Sequence, residues 1–288
     1  MLRYTLVALL LLAIAAGIVV LTADRLMLFN RLVPKDAGSE RIARDIAFGE
    51  EPRQRLDIYA PTGGEADAAL PVIMFIYGGS WRTGDKAGYE FAGRALASRG
   101  FVTVIPDYRL TPADRFPAFV EDGAAAIRWV RRNIADRGGD PDRIVMVGHS
   151  AGAHIAAMLA MDERWLGADR AAIAGWVGMA GPYDFLPLDT PGTIAAFGQA
   201  PDLAATQPIN FADAGDPPAL LLHGDLDDTV KPRQSRRLTA RLEAAGVPVR
   251  HVVYEGIGHI KIMTALSRWT RGSVPSLADI ERFAREVS

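Results

Sequence analysis

The chain of 288 residues contains no cysteine. That excludes disulfides, zinc–thiolate sites, iron–sulfur clusters and a thiol nucleophile, and it turns the search for a nucleophile toward hydroxyls. The compartment stays open, because an oxidising one permits disulfides without requiring them. An excess of charge is equally lacking: 32 Lys and Arg stand against 34 Asp and Glu, a net charge of −2. Without a dense basic footprint, nucleic acid is not an expected partner. There is no internal repeat, low-complexity tract or N-x-[ST] sequon, and no G-x-G-x-x-G, H-E-x-x-H or EF-hand pattern. No metal or organic cofactor is therefore expected. The length suits one large domain or two small ones.

What the chain does have is one long apolar run. From Tyr4 to Ala23 there are 20 residues without a charge, 17 of them apolar, and a helix needs about 20 such residues to cross a bilayer. The run exceeds the 7–15 residues of a signal-peptide core, and Leu21-Thr22-Ala23 puts Leu where cleavage prefers a small side chain. Residues 1–23 are thus expected to be an uncleaved membrane anchor, with a cleaved signal peptide and a secreted protein as the alternative. The flanking charges orient the run poorly, and export of the main domain is the preferred expectation. Residues 24–43 read as a linker, and residues 44–288 as the folded domain.

Within that domain short apolar or β-branched runs alternate with longer amphipathic ones. Strands are expected near Ile46–Gly49, Arg55–Tyr59, Val72–Tyr77, Phe101–Ile105, Arg143–Val147, Ile173–Met179, Ala219–Leu222 and Arg250–Tyr254. Helices are expected over Ala87–Ser98, Ala118–Asp136, Ala151–Met161, Lys231–Ala245, from about Ile260, and over Leu277–Val287. Such alternation implies an α/β fold with a mostly parallel sheet covered on both faces. Residues 181–216 break the rhythm with five prolines and read as a lid-like insertion.

The strand ending at Val147 runs into Gly148-His149-Ser150-Ala151-Gly152 and then a helix. This is G-x-S-x-G in its strand–turn–helix context, where a strained turn lifts the serine hydroxyl above the sheet edge. Ser150 is the candidate nucleophile. A serine needs a general base, and the base needs a group that fixes its tautomer. His259, in the glycine-flanked Gly256-Ile257-Gly258-His259 loop after the last strand, is the candidate base. His149, inside the elbow, and His154 suit structural roles or a secondary site contact. Asp227 in His223-Gly224-Asp225-Leu226-Asp227-Asp228 is the candidate acid, with Asp225 and Asp228 as turn formers. Between a strand and its helix, Tyr77-Gly78-Gly79-Ser80-Trp81 leaves backbone N–H groups uncovered, so Gly79, Ser80 and Ala151 are expected to form an oxyanion hole. The stretch from Gly79 to Ala87 superficially matches a phosphate-binding loop, but Asp85 stands where Lys should be and Ala87 where Ser or Thr should be. Trp81, Tyr183 and Phe185 are candidate substrate-binding residues.

With these residues in hand, the chain resembles the α/β-hydrolase carboxylesterases, especially the hormone-sensitive-lipase-like and neighbouring esterase branches, over about residues 45–285. The family's H-G-G-G-[WF] loop corresponds to Tyr77–Trp81, its D-Y-R-L-x-P segment to Asp107–Pro112, and its elbow to Gly148–Gly152. The resemblance implies an α/β-hydrolase fold and cleavage of carboxylic esters, small or short-acyl, by Ser150, His259 and Asp227. Tyr77 in place of the family His, and Ser80 in place of the third Gly, are departures that bear on substrate preference. Two other readings compete: an arylformamidase-like amide hydrolase, and a membrane-anchored binding protein with a decayed site.

Overall fold

The computed structural model describes residues 25–63 and 69–288. The apolar run at 4–23 lies outside the described residues, among which no helix is long and apolar enough to cross a membrane. The described chain opens with helix α1 (Arg25–Leu32), followed by β1 (Ser39–Ala47), β2 (Arg55–Pro61), β3 (Leu70–Ile76), α2 (Glu90–Ala97), β4 (Val102–Pro106), α3 (Ala118–Asn133) and β5 (Gly139–His149). It continues through α4 (Ala151–Met161), β6 (Ile173–Met179), α5 (Pro191–Phe197), β7 (Ala219–Gly224), α6 (Arg233–Ala244), β8 (Val249–Tyr254) and α7 (Ser276–Val287).

The strands form one sheet in the order β1-β2-β4-β3-β5-β6-β7-β8. β1 and β2 are antiparallel to their neighbours, and every pairing from β4 to β8 is parallel. Burial explains why the central strands lack an alternating pattern. Val72, Ile73, Met74 and Phe75 of β3 are all fully buried, because α2 packs with α7, and α3 with α4, to cover the two faces. Where α3 meets α4 the backbones are close: a Cβ on Gly123 would lie 2.9 Å from Leu159 Cδ1 and 3.0 Å from Ile155 Cγ2.

Three sequence expectations need correction. Residues 24–43, read as a linker, hold α1 and the start of β1. Their order comes from tertiary contacts that local pattern does not encode: Asn30 is buried, its Nδ2 donates to the Ala87 carbonyl at 2.7 Å, and its Oδ1 accepts from Phe91 N–H at 3.0 Å. The helix expected from about Ile260 is a single turn, Lys261–Thr264. The insertion at 181–216, expected to be lid-like, contributes no residue to the lining of the cavity at Ser150. It is nailed down by its own aromatic side chains, with Tyr183 and Phe197 fully buried and Phe185 and Phe197 packed on Trp81.

Candidate active site

The loops that follow β3, β5, β7 and β8 converge at the carboxyl ends of the parallel strands, where open α/β sheets hold their ligands. After β5 the chain turns sharply at Ser150, which has φ 54° and ψ −120°, a conformation that costs a non-glycine residue on the order of 1–3 kcal/mol. The flanking glycines are a steric requirement. A Cβ on Gly148 would sit 2.3 Å from the Gly152 carbonyl oxygen, and one on Gly152 would sit 2.0 Å from the Ile76 carbonyl oxygen. The elbow is pinned to β6 by Ser150 N–H donating to the Met179 carbonyl at 2.9 Å.

His259 spans the gap between the other two loops. Its Nε2 lies 2.9 Å from Ser150 Oγ and its Nδ1 lies 2.8 Å from Asp227 Oδ2. A carboxylate only accepts, so Nδ1–H donates to Asp227 and Nε2 is left to take the Ser150 hydroxyl proton. Asp227 receives further donors: Thr229 and Val230 N–H reach Oδ1 at 3.0 and 2.8 Å, and His223 Nε2 stands 3.2 Å from Oδ2. Burial would raise the Asp227 carboxyl, but the His223 and His259 hydrogen bonds outweigh it and hold the group well below the usual carboxylate range. Asp225, as expected of a turn former, takes Gly256 N–H at 2.7 Å and ties β7 to the loop that carries His259.

Two further histidines support the site: His223, which has no task assigned from the sequence, and His149, expected from it to take a structural role or a secondary site contact. His223 donates to the Val230 carbonyl at 2.8 Å and, through Nδ1, accepts from Ser235 at 2.6 Å, which fixes the ring that faces Asp227. His149, next to the elbow, donates Nε2–H to the main-chain carbonyl of His259 at 3.0 Å. Burial lowers His149 to about 3, so it stays a neutral donor. His154 is likewise lowered to about 4 by burial and packs under Trp81. Position beside a nucleophile was the only sequence signal for His149.

The Tyr77–Trp81 loop stands against this group. Gly78 is so near the elbow that a Cβ there would be 2.9 Å from Ser150 Cβ. Gly79, Ser80 and Trp81 all have positive φ, and among the described residues no backbone acceptor takes the N–H of Gly79 or Ser80. Ala151 heads α4, whose first N–H groups lack intrahelical partners and lie at the positive end of the helix dipole. Tyr77 turns inward and anchors the loop from below. Its hydroxyl donates to Asp107 at 2.6 Å and accepts from Arg53 at 2.9 Å, while its carbonyl accepts from the Tyr108 hydroxyl at 2.9 Å. The Asp107-Tyr108-Arg109 segment thus has a local purpose: Asp107 and Tyr108 brace the loop, and Arg109 pairs with buried Asp122.

Ser150, His259 and the Gly78–Ser80 loop share a cavity of about 620 Å³ with Leu26 and Phe29 of α1 and with Ile260 and Met263. Trp81 and Tyr183, the expected substrate-binding residues, do not line it. Trp81 is 3% exposed and its ring packs on Phe119, Phe185 and Phe197, while Tyr183 sits against Trp176. Phe185, from the same insertion, also packs on His154. The insertion also approaches the loop at Gly192, where a Cβ would be 3.3 Å from Ser80 Cβ.

Known proteins resemble this chain in sequence and in fold. The profile of a family described as BD-FAE matches residues 56–242. Among curated proteins, an isoprenylcysteine alpha-carbonyl methylesterase of Arabidopsis thaliana is 30% identical over 77% of this chain and 57% of its own length. The esterase LipC of Mycobacterium tuberculosis is 32% identical over 75% of this chain and 59% of its own length. The chain therefore spans little more than half the length of these curated relatives. Among solved structures, a truncated carbohydrate esterase from gut microbiota superposes with a TM-score of 0.77 at 24% identity, covering 88% of this chain and 98% of that one. Esterase 2 of Thermogutta terrifontis gives 0.72 at 24% identity over 88% and 97%. At that identity the likeness is one of fold, the α/β-hydrolase fold.

Proposed function

The chain belongs to the BD-FAE family, and from that premise we propose that it is a serine hydrolase of carboxylic esters. Relatives named as esterases support the reaction class. The observation that carries the reading is the unbroken hydrogen-bonded series from Ser150 Oγ through His259 to Asp227, opening on a cavity. Ser150 attacks the ester carbonyl while His259 Nε2 takes its proton, and Asp227 holds the tautomer and stabilises the imidazolium. The charge developing on the carbonyl oxygen is met by N–H groups of Gly79, Ser80 and Ala151. Collapse expels the alcohol, protonated by His259, and water then cleaves the acyl-enzyme with His259 again as base. The proposed substrates are esters with small or short acyl groups. No cofactor enters any step.

The experiment is hydrolysis of p-nitrophenyl acetate by the wild type and by Ser150→Ala. The expected loss is about 10³-fold or more in kcat; an inert wild type, or an unaffected variant, contradicts the proposal. For localisation, the sequence supports a membrane anchor at residues 4–23 with the hydrolase domain exported.

A further inference from the structure

This inference rests on the ester-hydrolase reading and concerns which esters the site takes. When the tetrahedral adduct collapses, the bond from the carbonyl carbon to the alcohol oxygen breaks, and the proton that Ser150 gave up passes from His259 to that oxygen. The alcohol half must therefore lie on the His259 side of the Ser150 hydroxyl. The wall on that side is mainly apolar: Ile260, adjacent to His259, and Met263, one turn on, line the cavity together with Leu26 and Phe29 of α1, with Arg25, Thr229 and Thr264 as its polar members. Phe29 is clamped edge-on by Phe91 at 5.3 Å and by Trp269 at 6.2 Å, and Asn30 fastens the helix to the body. Ile260 and Trp269 are each 56% exposed. Ile260 thus offers apolar surface at the cavity itself, while Trp269 backs Phe29 from outside the lining.

We propose that α1 and the Ile260–Met263 segment form an alcohol-side subsite, which selects esters of alcohols carrying an extended alkyl chain over esters of short alcohols. The acyl half stays small and the alkyl chain lies between Phe29 and Ile260. α1 is then a specificity element rather than a tether.

The test is the ratio of kcat/KM for hexyl acetate to that for ethyl acetate, read as acetate release by the full chain. Each methylene buried in an apolar pocket is worth roughly threefold to fourfold, so a ratio of about tenfold or more is expected. Ile260→Ser, at an exposed position, and Phe29→Ala are each expected to lower the ratio at least about threefold. The ratio does not depend on how much of a variant folds. A wild-type ratio near one, or variants that leave a high ratio intact, overturns the subsite alone, provided p-nitrophenyl acetate is turned over. Failure on all three esters overturns the hydrolase reading and this inference with it.

Discussion

Asp227 gathers hydrogen bonds from His259 and two backbone N–H groups, with the His223 ring nitrogen 3.2 Å away, and no neutral side chain of its size meets them all as an acceptor. Asp227→Asn would keep the shape but present an NH₂ group to one of those donors, favouring the wrong His259 tautomer. The expected result is a fall in kcat of about 10³ to 10⁴-fold on p-nitrophenyl acetate, with near-wild-type secondary structure by circular dichroism. Full activity would contradict the role. The pH dependence has a definite sign. A carboxyl held below its ordinary range adds stability that is complete above about pH 4 and lost only as pH falls further, so Asp227 is ionised throughout the neutral range. Ser150, His259 and Asp227 were legible in the sequence because each lies in a short segment whose glycines and strand context carry the chemistry. His149 and His223 were not legible in those roles. The bond from His149 to His259 joins positions 110 residues apart, and nothing local announces it. Trp81 and Tyr183 failed as pocket residues because aromatic identity does not say whether a ring faces a cleft or the core.

At the level of elements, the loop after β3 hangs from the phenol of Tyr77. Burial pushes that phenol well above its ordinary range, so it remains a donor to Asp107 while Arg53 donates to it. Tyr77→Phe removes both bonds inside the protein. It should cost about 1–3 kcal/mol in urea unfolding and lower kcat about tenfold, with KM little changed, as Gly79 and Ser80 lose their alignment. Unchanged stability and kcat would show that the loop is held by other means. The central strands were readable because burial on both faces makes them continuous apolar runs. α1 was not: it is short and of mixed polarity, and its place depends on Asn30 meeting α2, a contact set by the tertiary fold.

For the whole molecule, the composition joins one long apolar run to a mixed-composition domain. The run at 4–23 matches the length of a bilayer span, and the domain beyond it has a buried apolar core. The anchoring proposal predicts that the full chain sediments with membranes and resists alkaline carbonate, with protease reaching the domain from the exported side. Release into the soluble fraction would contradict it. The account's central claim is that Ser150 is a nucleophile activated by its neighbours, and covalent capture tests it most directly. A fluorophosphonate should add one adduct to the intact protein, mapped by peptide mass spectrometry to Ser150, with labelling absent in Ser150→Ala and strongly slowed in His259→Ala. An unlabelled wild type, or an adduct on another residue that Ser150→Ala leaves untouched, would contradict it.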